Sequence, residues 1–206
     1  MTSFTAALQS SRTSFYSGAI LATCLGAFAA THIQAFIRTN ELYFLIICIS
    51  ETLTATFYLL RSAPKSVSTL PFDWIIAIAG TIAPLFLRPA SWGILPMASI
   101  SIILGTIIQI LGVISLNRSF AIIAARRVIK TTWMYRLVRH PIYASYVLIY
   151  SGYVLANTTP LNILIYLLTV TFLVLRIIQE ERHLSSDPGY CEYMKKVRYR
   201  LIPLLF

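Results

Sequence analysis

Six apolar runs separated by short polar segments leave this chain little choice of architecture. They occupy residues 15–37, 42–60, 72–87, 94–116, 141–156 and 161–175. A helix needs about 20 mostly apolar residues to cross a bilayer. The first, second and fourth runs come close to that length. The third is short and interrupted by Pro84. The fifth and sixth are joined only by Asn157-Thr158-Thr159-Pro160, which predicts a tight helical hairpin. The sixth is expected to continue as helix past the membrane surface through Arg182. Arg12 ahead of the first run imitates a signal peptide, but the run is too long for a typical h-region and further spans follow at once.

The charge content fits this reading. Only 12% of residues are charged against 57% hydrophobic, about half the charge of a soluble chain. At 206 residues the length suits one bundle with no separate soluble domain. The net charge of +10 does not point to nucleic acid, because the basic residues fall at span boundaries. Cys24, Cys48 and Cys191 form no CxxC pair, so neither a disulfide framework nor a metal site is expected. Nothing in the sequence sets an oligomeric state.

Orientation follows from the basic residues. Of 17 Lys and Arg, only Arg38 and Arg88 fall on the side away from the termini. That asymmetry predicts an even number of spans with both termini in the cytoplasm. The expected fold is therefore all-α: a polytopic membrane bundle of about six transmembrane helices with a C-terminal amphipathic helix.

Two long polar segments remain, the loop from 117 to 139 and the tail after 176, and the hairpin should bring them together on the cytoplasmic side. The loop ends in Tyr135-Arg136-Leu137-Val138-Arg139-His140-Pro141-Ile142-Tyr143. Pro141 suits the first turn of a helix, and the residue before it is pushed toward extended geometry. Arg139 and His140 thus sit on a bend at the membrane surface, where an Arg-His pair can equally be an interfacial anchor. The second element is Arg176-Ile177-Ile178-Gln179-Glu180-Glu181-Arg182-His183. Arg176 and Glu180 are four apart and share a helix face. Arg176 directly follows an apolar run, and an ionisable residue at that depth is a functional hypothesis with Glu180 its partner. A surface ion pair is the bland alternative. In the third element Asp187 can cap a helix with Pro188 at its first position. Tyr190, Tyr193, Val197 and Leu201 then fall on one stripe opposite Glu192, Lys196 and Arg200, an amphipathic helix lying on the membrane or lidding the loop site.

In this order and spacing the three elements resemble the isoprenylcysteine carboxyl methyltransferase family of membrane enzymes and its prokaryotic relatives. The resemblance runs from Leu116 to Phe206. It rests on Tyr135, the Arg139-His140-Pro141-Ile142-Tyr143 stretch, Arg176 with Glu180-Glu181, Tyr190 with Tyr193, and Pro203. It divides the chain into four N-terminal spans, 1–116, and a methyltransferase-like region, 117–206. Two positions depart from the family pattern. Trp133 stands where a glycine often precedes the tyrosine, and Ser145 where a glycine often follows the His-Pro stretch.

The resemblance implies S-adenosylmethionine as cofactor. Tyr135, His140, Pro141, Ile142, Tyr143 and Glu180 would line its pocket, with further contacts from Arg127, Val128, Ile129 and Lys130. Arg176 would face the methyl acceptor, and Arg176 and Glu180 would form the catalytic pair. The implied partners are the lipid bilayer and a lipophilic small-molecule or prenylated substrate. Methyl transfer from a sulfonium needs positioning and exclusion of water more than proton transfer. A carboxylate acceptor needs no base but does need a forked cation, which Arg176 offers. An amine acceptor, as in phospholipid N-methylation, would instead need Glu180 or Glu181 as base. A membrane sterol reductase and a non-enzymatic membrane scaffold are the further alternatives. His32, Gln34, Glu51 and Gln109 are expected to bond across the bundle, Glu51 being costly in mid-span unless paired or protonated.

Overall fold

The computed structural model describes residues 11–60, 66–67, 70–116, 125–126, 129–203 and 205. Every apolar run is helical. The helices are α1 (Ser11–Thr39), α2 (Leu42–Leu60), α3 (Pro71–Ile82), α4 (Ser99–Leu116), α5 (Pro141–Ala156), α6 (Pro160–Leu184) and α7 (Pro188–Lys196). Three of the four later helices open on a proline whose missing N–H falls where no intrahelical partner exists. Thr159 caps α6 by accepting from the Asn162 N–H at 3.0 Å, and Asp187 caps α7 by accepting from the Gly189 N–H at 2.9 Å. At Pro84 the third run tightens from α-helix into the 3₁₀ turn Ala83–Phe86, because proline cannot donate to the preceding turn. Residues Ser66–Val67 and Ala125–Arg126 pair as a short antiparallel ladder.

Apart from that ladder the described residues form helices, turns and loops, the architecture of a helical integral membrane protein. Among the described residues, Gly18–Thr39, Pro96–Leu116 and Pro160–Leu184 are long and apolar enough to cross a bilayer. Pro71–Phe86 and Pro141–Ala156 are apolar but shorter. A 16-residue α5 rises only about 24 Å along its axis.

α4 and α5 lie against each other with their backbones in close approach at glycines. A Cβ on Gly105 would stand 3.0 Å from the Ile149 nitrogen and 3.1 Å from the Ser145 carbonyl. Small residues at such a seam let two backbones approach, which is how membrane helices gain packing without a hydrophobic drive. Phe28, Phe44, Leu87, Ile102, Ile149 and Tyr153 form the core that ties α1 and α2 to this pair. His32 is fully buried and meets the Tyr153 hydroxyl through Nε2 at 3.1 Å. The Ser50 hydroxyl donates to the Gln109 side chain. These two residues do bond across the bundle. Gln34 does not take that part: it is exposed, because two residues beyond His32 means about 200° around α1. The Glu51 side chain lies outside the described residues.

The turn between α5 and α6 is tight, yet the helices splay from it. α5 packs along α4, whereas α6 packs along α3, where a Cβ on Gly80 would touch the Phe172 Cβ at 3.1 Å. The buried Asp73 of α3 pairs with Arg182 of α6 at 3.2 Å. Asn157 and Asn162, both fully buried, hold the splay at the turn. Asn162 accepts from the Arg88 N–H at 3.1 Å and donates to the Arg88 carbonyl at 2.9 Å. Asn157 accepts from the Ala90 N–H at 2.9 Å. The loop before α4 thereby satisfies backbone groups that hydrocarbon could not.

Candidate active site at the loop and tail junction

The site is built where the end of the 117–139 loop, the first turn of α5, the last turns of α6 and the tail converge. The tail docks by backbone: the Arg139 N–H donates to the Tyr199 carbonyl and the His140 N–H to the Arg200 carbonyl, both at 2.9 Å. Beneath this contact Tyr135, Tyr190, Tyr193 and Val197 form a small buried core, and Tyr193 donates to the Tyr135 carbonyl at 2.7 Å. Burial pushes all three phenols above their ordinary range. At Tyr135 the nearby Glu180 charge adds to that, and at Tyr193 the Arg139 cation opposes it. At Tyr190 burial is followed by the Glu180 and Glu181 charges. Tyr190, Tyr193 and Val197 face inward while Glu192 and Lys196 are exposed. The helix ends at Lys196, however, so Leu201 leaves the expected stripe and Arg200 its opposite face, and Arg200 turns to Glu181.

The two adjacent glutamates do different things. Glu180 accepts a hydrogen bond from the Tyr143 hydroxyl at 2.7 Å. Glu181 is buried and accepts from Arg139 Nε at 2.7 Å and Arg200 Nε at 2.8 Å, with His140 Nε2 at 3.1 Å. A buried carboxylate is tolerated because charged donors replace the water it has lost.

Tyr143 is the hinge between the two ends of the site. One face stacks with His140, ring centroids 5.4 Å apart and 19° between planes. The Arg176 guanidinium lies 5.4 Å from the Tyr143 ring centroid, within cation–π range. Arg176 Nη1 also donates to the Thr81 hydroxyl at 3.2 Å, tying α6 to α3. Below Arg176 the splay of α5 and α6 opens a cleft lined by Tyr146, Tyr150, Leu173, Thr169, Leu85 and Leu25. Tyr143, Tyr146 and Tyr150 form a ladder down one side, with centroids 6.4 Å and 5.9 Å apart.

Of the residues singled out from sequence, Tyr135, His140, Tyr143, Glu180 and Arg176 stand in one connected neighbourhood. Pro141 and Ile142 are buried at the start of α5, and Ile142 packs toward Leu25 and Val113. Ile129 packs against the tyrosine core, and Lys130 is half-buried beside it in sequence. Arg127 and Val128 lie outside the described residues. Sequence reasoning missed Thr81, Asp73 and the Glu181 cluster. It also missed Tyr146 and Tyr150, although their spacing of three and seven from Tyr143 is a helix-face signal. Trp133 adopts a left-handed backbone, φ 55°. That is a conformation in which glycine has no steric cost.

An all-helical membrane protein with a polar, partly buried aromatic and acidic site at one end of the bundle is the class this arrangement defines. Residues 92–187 match the phospholipid methyltransferase family model. That stretch of the chain is similar to this family of membrane methyltransferases, the one that takes in the isoprenylcysteine carboxyl methyltransferase-like enzymes. The match runs from the loop before α4 through Asp187, so it includes Tyr135, His140, Tyr143, Arg176 and Glu180, with α7 and the docked tail beyond it. No curated protein matches the chain. Methyltransferases of this family generally use S-adenosylmethionine.

Proposed function

We propose that the protein is an S-adenosylmethionine-dependent methyltransferase that methylates a carboxylate on a lipophilic, isoprenylcysteine-like acceptor. In the topology we propose, six helices cross the membrane and the site faces the cytoplasm. The observation that carries the reading is Arg176 at the head of an apolar cleft, between the Tyr143 ring and Thr81.

The residues present fit the cofactor. Glu180 offers a half-buried carboxylate to a cationic ligand. When bound, S-adenosylmethionine supplies a methyl group on a sulfonium, open to in-line displacement by a nucleophile. Tyr143 holds Glu180 in place, and the docked tail excludes water from that side of the site. Arg176, held by Thr81, directs an acceptor carboxylate by forked, charge-assisted hydrogen bonds. The cleft between α5 and α6 is small, about 40 Å³, so the acceptor's hydrocarbon stays in the bilayer while its carboxylate reaches Arg176.

Phospholipid N-methylation is the second reading, favoured by the description of the matched family. It requires a base, and Glu181 is already engaged by Arg139, Arg200 and His140, so the task would fall to Glu180. The test offers labelled S-adenosylmethionine with a prenylated cysteine or with phosphatidylethanolamine to purified protein in lipid nanodiscs. Base-labile methyl ester on the prenylated acceptor, abolished by Arg176→Ala, is the expected result. Methylation of the amine alone, or full ester formation by Arg176→Ala, would overturn the carboxylate assignment.

A further inference from the structure

Two consecutive glutamates on a helix point about 100° apart, and here that separation divides their labour. Glu180 turns to Tyr143. Glu181 turns to the junction of loop and tail, where its two oxygens take three cationic or ring donors. Arg139, bound to Glu181 through Nε, also donates from Nη1 to the Val197 and Arg198 carbonyls, each at 2.9 Å. Its backbone N–H binds the Tyr199 carbonyl. Arg200, from the tail itself, closes on the second oxygen of Glu181. One carboxylate therefore joins α6, the residues before α5 and the tail.

The same carboxylate sets the ring next to the site. A neutral imidazole that meets a carboxylate through Nε2 must carry its proton there, which leaves Nδ1 as the acceptor. Among the described residues nothing binds His140 Nδ1. The ring so fixed stacks on Tyr143. Tyr143 in turn reaches Glu180 through its hydroxyl and Arg176 through its face.

We propose that Glu181 is the positioning residue of this site: it selects the Nε2–H form of His140, presents Nδ1 as an acceptor to a donor on the cofactor, and latches the tail. It acts through His140, Tyr143 and Arg200 and touches neither cofactor nor acceptor. The inference rests on the proposed function for the identity of the ligand, while the tautomer and the latch are properties of the chain alone.

The test uses full-length protein in detergent micelles with ¹⁵N-labelled histidine. There are three histidines, and His140→Gln assigns the signal. The wild-type His140 signal is expected in the Nε2–H form, shifting toward a mixture in Glu181→Gln, with S-adenosylhomocysteine binding weakened about tenfold or more. Glu181→Asp is expected to restore part of both. An unchanged tautomer in Glu181→Gln overturns the proposal, as does a changed tautomer with binding unaltered. Should wild-type protein bind no S-adenosylhomocysteine, the methyltransferase reading fails, while the tautomer shift and protease sensitivity of the tail still decide the role of Glu181. Arg200→Gln serves if Glu181→Gln does not fold. It is expected to keep the His140 tautomer yet expose the tail to proteolysis, and a tail as resistant as wild type would overturn the latch.

Discussion

Replacing Tyr143 with phenylalanine removes one hydroxyl and leaves the ring. In the intact protein that hydroxyl donates to Glu180 at 2.7 Å, while the ring stacks on His140 and lies under Arg176. A hydrogen bond to a charged group contributes about 1.5–3 kcal/mol. Tyr143 and Glu180 are both half-buried, so water replaces part of the loss and the lower end applies. About 1.4 kcal/mol is a factor of ten in affinity. Tyr143→Phe should therefore bind S-adenosylhomocysteine about tenfold more weakly, because Glu180 is no longer held toward the ligand. Tyr143→Leu also loses the stack and the cation–π contact, the latter alone about 0.5–2 kcal/mol, and should fall at least a few-fold further. Isothermal calorimetry in detergent measures both. Phenylalanine binding within twofold of wild type would show that the Glu180 contact does not organise the pocket. Leucine matching phenylalanine would show the same of the ring.

Three further outcomes follow from the packing. Trp133 is 68% exposed with φ 55°, a backbone that costs a non-glycine residue about 1–2 kcal/mol. Trp133→Gly should stabilise by roughly 0.5–1 kcal/mol once the flexibility of glycine is subtracted, seen as a modestly raised thermal midpoint, and a lowered midpoint would contradict the strain. A methyl at Gly152 would stand 2.6 Å from the Ala98 carbonyl, so Gly152→Ala should destabilise by about 1–3 kcal/mol. An unchanged midpoint there would deny the close approach. Burial raises the phenols of Tyr135, Tyr190 and Tyr193. Their folded values lie above the ordinary value of about 10, so their contribution to tail docking is whole below that pH and is lost as pH rises beyond it. Phenolate absorbance and tail proteolysis should rise together in alkali, and phenols that titrate near 10 with the tail still protected would refute it.

The helices were legible because a run of apolar residues states its structure without reference to anything distant. The start of α5 at Pro141 and the cap of α7 at Asp187 were legible for the same local reason. The Arg-His-Pro and Arg-Glu-Glu elements pointed to the loop and the tail, and the structure does join loop to tail. What sequence could not supply was azimuth. Whether Glu180 or Glu181 faces Tyr143 depends on how α6 is rotated, and that is set by Phe172 against Gly80 and by Arg182 against Asp73. Asp73 and Arg182 lie far apart in the chain, and no local pattern marks them as partners. The splay of the hairpin escaped notice because the four-residue turn fixes only where the helices meet. Their divergence comes from α3 and α4, each claiming one of them. The left-handed backbone at Trp133 was not legible, because a tryptophan carries no local signal for that conformation.

His140, Tyr143 and Glu180 are proposed to build a pocket for S-adenosylmethionine. Direct binding of S-adenosylhomocysteine to the purified wild-type protein, with His140→Ala and Glu180→Ala alongside, tests it most directly. Saturable one-to-one binding is expected, weakened about tenfold or more by each substitution while the thermal unfolding of the protein stays cooperative. Well-folded wild-type protein that binds none, or variants that bind as tightly as wild type, would contradict it.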